Sequence, residues 1–152
     1  MSEPRWLSDD ERDAWKSLSL MQLQLSALLG RELSGCGLSY QDYLVLASLT
    51  DRDCGSGRVV ELACELGWEK SRASHHLSRM SERGLVRKEP CPTDQRGSFI
   101  VITDKGKEAI ARAAPGHVET VRRAFIDLLT PSQLKALDEI ARTVLDHLAK
   151  AE

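Results

Sequence analysis

Residues 70–96 carry seven basic side chains, Lys70, Arg72, Arg79, Arg83, Arg87, Lys88 and Arg96, against three acidic ones, Glu82, Glu89 and Asp94. This segment holds a local charge of +4 in a chain whose formal net charge is −2, so the remainder carries −6. Binding to phosphate follows the local field and not the total, and a basic segment in an acidic body suits docking on nucleic acid. A merely solvated helix face would carry the same charges, so charge alone leaves both readings open. Helical spacing over 70–83 sharpens the choice. On a helix from Lys70, Ala73, Leu77 and Met80 share one face and Ser71, Arg72, Ser74, His75 and Ser78 occupy the opposite one, and Lys70 joins these as a candidate DNA contact. Hydroxyl donors, an imidazole and a guanidinium suit base edges and phosphates, Arg in particular gripping guanine through two hydrogen bonds. The adjacent His75 and His76 point about 100 degrees apart on a helix and do not converge on a metal ion.

Arg96 falls among turn residues, where no core claims it, and a guanidinium there can enter a narrow minor groove. Asp94, two residues earlier, repels phosphate unless a basic side chain pairs with it. Arg87 and Lys88 offer generic phosphate contacts. The four cysteines, Cys36, Cys54, Cys64 and Cys91, show no Cys-x-x-Cys pair, which argues against a zinc ribbon or a disulfide framework and fits reduced thiols. Cys91 has Arg87, Lys88 and Arg96 close in sequence, whose charge would favour thiolate. Cys64 is expected to pack. There is no Gly-x-Ser-x-Gly elbow, phosphate-binding glycine loop or His-Glu-x-x-His helix, so neither an enzyme nor a cofactor is expected.

Helices dominate the elements that must position these groups. Trp15, Leu18, Met21, Leu25 and Leu28 form one stripe of a helix over about 8–31, capped by Ser8 and closed by Gly30, Gly35 and Gly37. A second helix opens at Ser39, with Asp42 placed to reach back to the cap, and ends in a loop over 51–57. A short helix over 59–66 stops at Gly67, and the basic helix stops at Gly84. Residues 85–89 and 98–102 have strand character, joined by a proline-rich tip over 90–97. Thr103 caps the next helix, which is expected to kink near Pro115 and to run on through Val118, Val121, Phe125 and Leu128. Thr130, Pro131 and Gln133 start a last helix with a narrow stripe, Leu134, Leu137, Ala141, Val144 and Leu148.

The 152 residues are 41% hydrophobic and 29% charged, enough for one domain that buries roughly 70% of its unfolded surface without staples. The longest uncharged run, 17–30, is too short and too polar for the about 20 apolar residues of a membrane span. The opening residues lack a basic start and apolar core, so a cytoplasmic protein without a membrane partner is expected. Two helices in close succession followed by a hairpin make a winged helix-turn-helix, here over 37–103. Long helices over 1–36 and 104–152 enclose it with stripes that a second copy would bury. In such a homodimer two recognition helices reach successive major grooves about 34 Å apart.

In this order and spacing the residues resemble the MarR family of bacterial transcription regulators. The resemblance covers nearly the whole chain and rests on Glu61-Leu62-Ala63 through Arg79-Met80, Glu82-Arg83-Gly84-Leu85-Val86, and Asp94-Gln95-Arg96-Gly97 leading to Ile102-Thr103. Glu69 departs from it, since family members often place Ser or Thr there. The family implies a mainly helical fold with a β-hairpin wing, dimerisation through the outer helices and double-stranded DNA as partner. It implies a repressor on a pseudo-palindromic operator, relieved by a small aromatic or amphipathic effector bound between the outer helices and the DNA-binding part. Trp15, Tyr43 and His117 are possible lining residues, although each could equally be core. Asp94 would orient basic groups of the wing or helix. Some relatives sense oxidants through a thiol, which makes Cys91 the candidate for a redox-sensing alternative. A helical interaction protein that does not bind DNA would explain the stripes but not the basic segment or the hairpin.

Overall fold

The computed structural model describes residues 2–90 and 98–151. Helix α1 spans Asp9–Ser34, with Ser8 and Glu11 forming a reciprocal cap and three acidic residues in its first turn. It runs three residues beyond the expected end. Gly30 lies inside it, because Leu29 and Leu33 beyond or beside that glycine are buried and outweigh a cost of about 1 kcal/mol for glycine in a helix. Helix α2 spans Tyr40–Thr50, and its Ser39 and Asp42 form the expected capping box.

Residues 51–57 are not all loop. Ser56–Arg58 form a short strand, β1, that pairs antiparallel with β3, Ser98–Ile102, setting Gly57 opposite Ile100. No alternation in three residues could reveal it, since the pairing is supplied by a strand about forty positions away in a non-local contact. Strand β2, Val86–Pro90, pairs on the other side of β3, giving the antiparallel order β1-β3-β2. Between them lie α3, Val59–Leu66, and α4, Lys70–Glu82.

Helix α5 spans Asp104–Ala124 and carries Pro115 without ending there. It stops earlier than expected. Phe125 leaves helical geometry at φ −142° and ψ −68°, and Leu128 sits in a single 3-10 turn, Ile126–Leu128. Helix α6, Pro131–Lys150, has the expected cap and first-turn proline. One core gathers α2, α3, α4 and the sheet around Leu33, Leu46, Leu49, Leu62, Leu77, Met80 and Ile100. Gly106 closes it at the wing, because a Cβ there would overlap the Leu85 carbonyl oxygen. Among the described residues, helix α6 makes no more than marginal contact with the other elements.

Candidate nucleic-acid interface

The turn into α4 is built by backbone alone. Gly67 takes the left-handed conformation, φ 66°, that glycine adopts at no steric cost, and the Trp68 amide donates to the Ala63 carbonyl at 2.8 Å. Glu69 supplies no side-chain cap, yet α4 begins at Lys70. Burial of Ala73, Leu77 and Met80 against the core fixes the rotation of the helix. Lys70, Ser71, Arg72, His75 and Arg79 are then exposed on its outer side, with Ser74 and Ser78 half-buried.

A groove of about 450 Å³ runs beside this helix, lined by Trp68, Arg72, His75, His76, Arg79 and Arg83 on one side and Ser39, Gln41 and Asp42 on the other. The Arg72 guanidinium lies 5.0 Å from the centre of the Trp68 ring, and His76 meets the same indole edge-on at 5.2 Å. Asp42 is the acidic centre of the groove. Its Oδ2 accepts from Arg83 Nη1 at 2.7 Å, and its Oδ1 lies 3.0 Å from His76 Nε2, a close contact rather than a well-aimed hydrogen bond. Arg83 also donates through Nη2 to the Gly37 carbonyl at 2.6 Å, tying the end of α4 to the α1–α2 turn. Burial alone would raise the Asp42 pKa, but interactions with His76, Arg83 and the Ser39 amide outweigh it and hold the carboxyl well below the usual range.

The sequence alone marks Asp42 as a capping residue and singles out neither Trp68 nor His76 as a site residue. The available signal covered only Arg72 and His76, four apart and so on one face of α4; Trp68 precedes the helix and reaches them through the turn at Gly67.

Strand β2 divides the two wing residues it carries. Lys88 Nζ donates to Ser78 Oγ at 2.7 Å, joining wing and helix. Arg87 points to the other sheet face, where it pairs with Glu89 at 2.8 Å and lines a second groove with Arg52, Asp53 and Lys107. Cys91, Asp94 and Arg96 lie outside the described residues. Cys64 is exposed on α3, contrary to the expectation that it packs, because Leu62 and Ala63 take the inward positions.

Tyr43 and His117 come together with ring centres 4.2 Å apart, joining α2 to α5. Burial lowers the His117 pKa and the Glu32 charge opposes it, while burial and then the charges of Glu32 and Asp51 raise that of Tyr43. His117 Nδ1 and Glu32 Oε2 are both buried without a hydrogen-bond partner among the described residues. Tyr43 also opens on an apolar groove of about 350 Å³ with Ala47, Ile110, Ala111 and Ala114, and Lys107 at its edge. Trp15 is not part of this group; it is 64% exposed on α1. Among the described residues no group of His, Cys, Asp and Glu could hold a metal ion, and no helix is long and apolar enough to cross a membrane.

The family model for MarR matches residues 38–98. The crystal structure of AbsC, a MarR family transcriptional regulator from Streptomyces coelicolor, is similar over 97% of this chain and 99% of that one, with 39% identity and a TM-score of 0.89. The chain belongs to the MarR family of transcription regulators. Members are DNA-binding proteins without enzymatic activity, and the mainly helical winged helix-turn-helix described above is their fold. Sco3205, a MarR family regulator from the same organism solved in complex with DNA, is 40% identical, covering 97% of this chain and 92% of that one, with a TM-score of 0.89. Among curated relatives, the transcriptional repressor MprA of Escherichia coli K12 is 24% identical over 87% of this chain and 74% of its own length.

Proposed function

We propose that this MarR family regulator is a cytoplasmic homodimeric repressor that binds a pseudo-palindromic double-stranded operator and is released by a small aromatic or amphipathic effector. The outer surface of α4 carries this reading. It presents Lys70, Ser71, Arg72 and His75 to solvent while Ala73, Leu77 and Met80 fix its rotation from behind, and Lys88 of the wing is bound to Ser78. Residues 37–103 would form the DNA-binding region, with α4 in the major groove and Arg96 reaching the minor groove.

Residues 1–36 and 104–152 would form the dimerisation region. Leu134, Ile140, Val144, Leu145 and Leu148 of α6 are between 42% and 63% exposed in the single chain. A second copy would cover them through a two-fold contact. The DNA-bound relative Sco3205 supports the partner, and the repressor MprA supports the direction of control. The apolar groove at Tyr43 has the size and lining that suit a small effector.

The test is fluorescence anisotropy with a duplex selected from a random-sequence pool on the wild type, set against a scrambled duplex over a salt series. Affinity should fall steeply with salt on both duplexes, and Arg72→Ala should cost about 1 to 3 kcal/mol more on the selected duplex than on the scrambled one. A pool that yields no enriched sequence, or salt-independent binding, would end the reading.

A further inference from the structure

We infer that Trp68, which precedes α4, is a positioning residue for sequence readout: its indole holds the Arg72 guanidinium in the orientation from which it meets a base. The inference rests on the reading of α4 as the recognition helix and adds to it a residue that need not touch DNA. Arg72 is exposed, and an exposed arginine left to itself samples many rotamers that a base contact must then reduce to one. Here it has a partner. Its guanidinium carbon stands 5.0 Å from the centre of the Trp68 ring, within the distance at which a ring face attracts a cation.

The indole is itself fixed. It is half-buried against the core, and the Trp68 backbone N–H donates to the Ala63 carbonyl, fixing the chain that carries it. The His76 ring meets it edge-on, while His76 lies against Asp42 and Arg83 holds the other oxygen of Asp42. Arg79 Nη2 stands 3.3 Å from His76 Nδ1, closing the far side. The arginine is thus braced on a ring that three elements keep in place, and contact through the ring face does not use its N–H groups, which a bidentate contact needs.

The experiment measures binding of the full chain to the selected and scrambled duplexes by anisotropy. The variants are Trp68→Met, which keeps bulk but removes the ring, and Trp68→Phe, which keeps a ring. The ratio of the two affinities should fall about three- to tenfold in Trp68→Met and recover in Trp68→Phe, with scrambled-duplex affinity unchanged. A purely structural role for Trp68 would lower both affinities together. Ring-fluorinated tryptophan incorporated into the unmutated chain gives the same readout where Trp68→Met fails to fold. Fluorination draws charge from the ring face, so it should lower the ratio in the wild type and leave it unaltered in Arg72→Ala. The inference is overturned if Arg72→Ala lowers the ratio but neither fluorination nor Trp68→Met does. If Arg72→Ala itself leaves the ratio intact, the reading of α4 fails first and takes this inference with it.

Discussion

Asp42→Ala should lower the stability of the chain by about 2 to 3 kcal/mol, because Asp42 on α2 holds the cap of its own helix together with His76 of α4 and Arg83 at the end of α4. The substitution removes the carboxylate that returns to the Ser39 amide, and loss of such a cap costs about 1 kcal/mol. It also strands Arg83. Breaking a fully buried pair costs about 3 to 5 kcal/mol, but the Arg83 side chain is 45% exposed, so water replaces much of what is lost and about 1 kcal/mol is the fitting figure. The contact with His76, whose side chain is only 14% exposed, adds a smaller share. For a chain of this size the sum corresponds to a fall of about 5 to 10 °C in the midpoint of thermal unfolding. Melts are read at one fixed protein concentration, because dimerisation would otherwise shift the midpoint by mass action. Arg83→Met strands a carboxylate whose side chain is only 4% exposed and also frees the Gly37 carbonyl, so it should lose at least as much, and the double variant less than the two effects added, since both remove one shared contact. The folded Asp42 pKa is depressed, so its stabilisation is present above the ordinary carboxylate value and is lost as pH falls below about 4 toward the folded value. The gap between wild type and Asp42→Asn should therefore close in acid. An Asp42→Ala midpoint within a degree or two of wild type, or a gap that widens in acid, would show that this carboxylate does not tie α2 to α4.

Light scattering should give twice 16.9 kDa for the wild type at micromolar concentration, whereas Val144→Asp should be monomeric or unfolded; a folded monomer in the wild type would refute the proposed dimer. Arg96→Ala should weaken selected and scrambled duplexes equally and flatten the salt slope by about one unit, and a loss confined to the selected duplex would move Arg96 from phosphate to base contact. Burial lowers the folded His117 pKa, so the unfolded chain binds more protons near the ordinary histidine value of about 6.5 and stability falls as pH drops through that region. His117→Phe should lose less stability than wild type on acidification from about pH 7.5 to 5.5, and equal losses would place the effect elsewhere. Cys91→Ser should leave DNA affinity under reducing conditions unchanged; release of the wild type but not this variant by oxidant would favour thiol sensing.

Local signals made most of the fold legible. Capping pairs such as Ser39 with Asp42 and Thr130 with Gln133, and glycines such as Gly67 and Gly84, act within a few residues and stand where they were expected. The departures come where distant contacts win. Gly30 reads as a helix stop, but burial of Leu33 carries α1 past it; Ser56–Arg58 read as loop, but β3 lies alongside. The exposed face of α4 followed from a period of 3.6 residues, because the buried face is set by three apolar side chains. The groove beside it did not, since it needs Asp42 and Arg83, 41 positions apart, to meet. Strand alternation puts Arg87 and Lys88 on opposite faces, but only the packing of the sheet against α4 decides that Lys88 is the one that meets the helix.

Helix α2 borders both the groove beside α4 and the apolar groove at Tyr43. Asp42 and Tyr43 are neighbours on it, and the first is bound to α4 through Arg83 while the second stacks on His117 of α5. An effector in the groove at Tyr43 can alter DNA binding only by preferring one of two placements of the elements around it, because a ligand with equal affinity for both shifts nothing. Helix α2 is a physical connection on which such a preference can act. Its first turn is held rigid by the capping box and by Arg83, so a displacement at Tyr43 would be carried to α4 rather than absorbed at the helix end. Cutting the tie with Arg83→Met should then reduce the effect of an effector on DNA affinity more than it reduces affinity itself, and equal reductions would mean that the two sites communicate by another route.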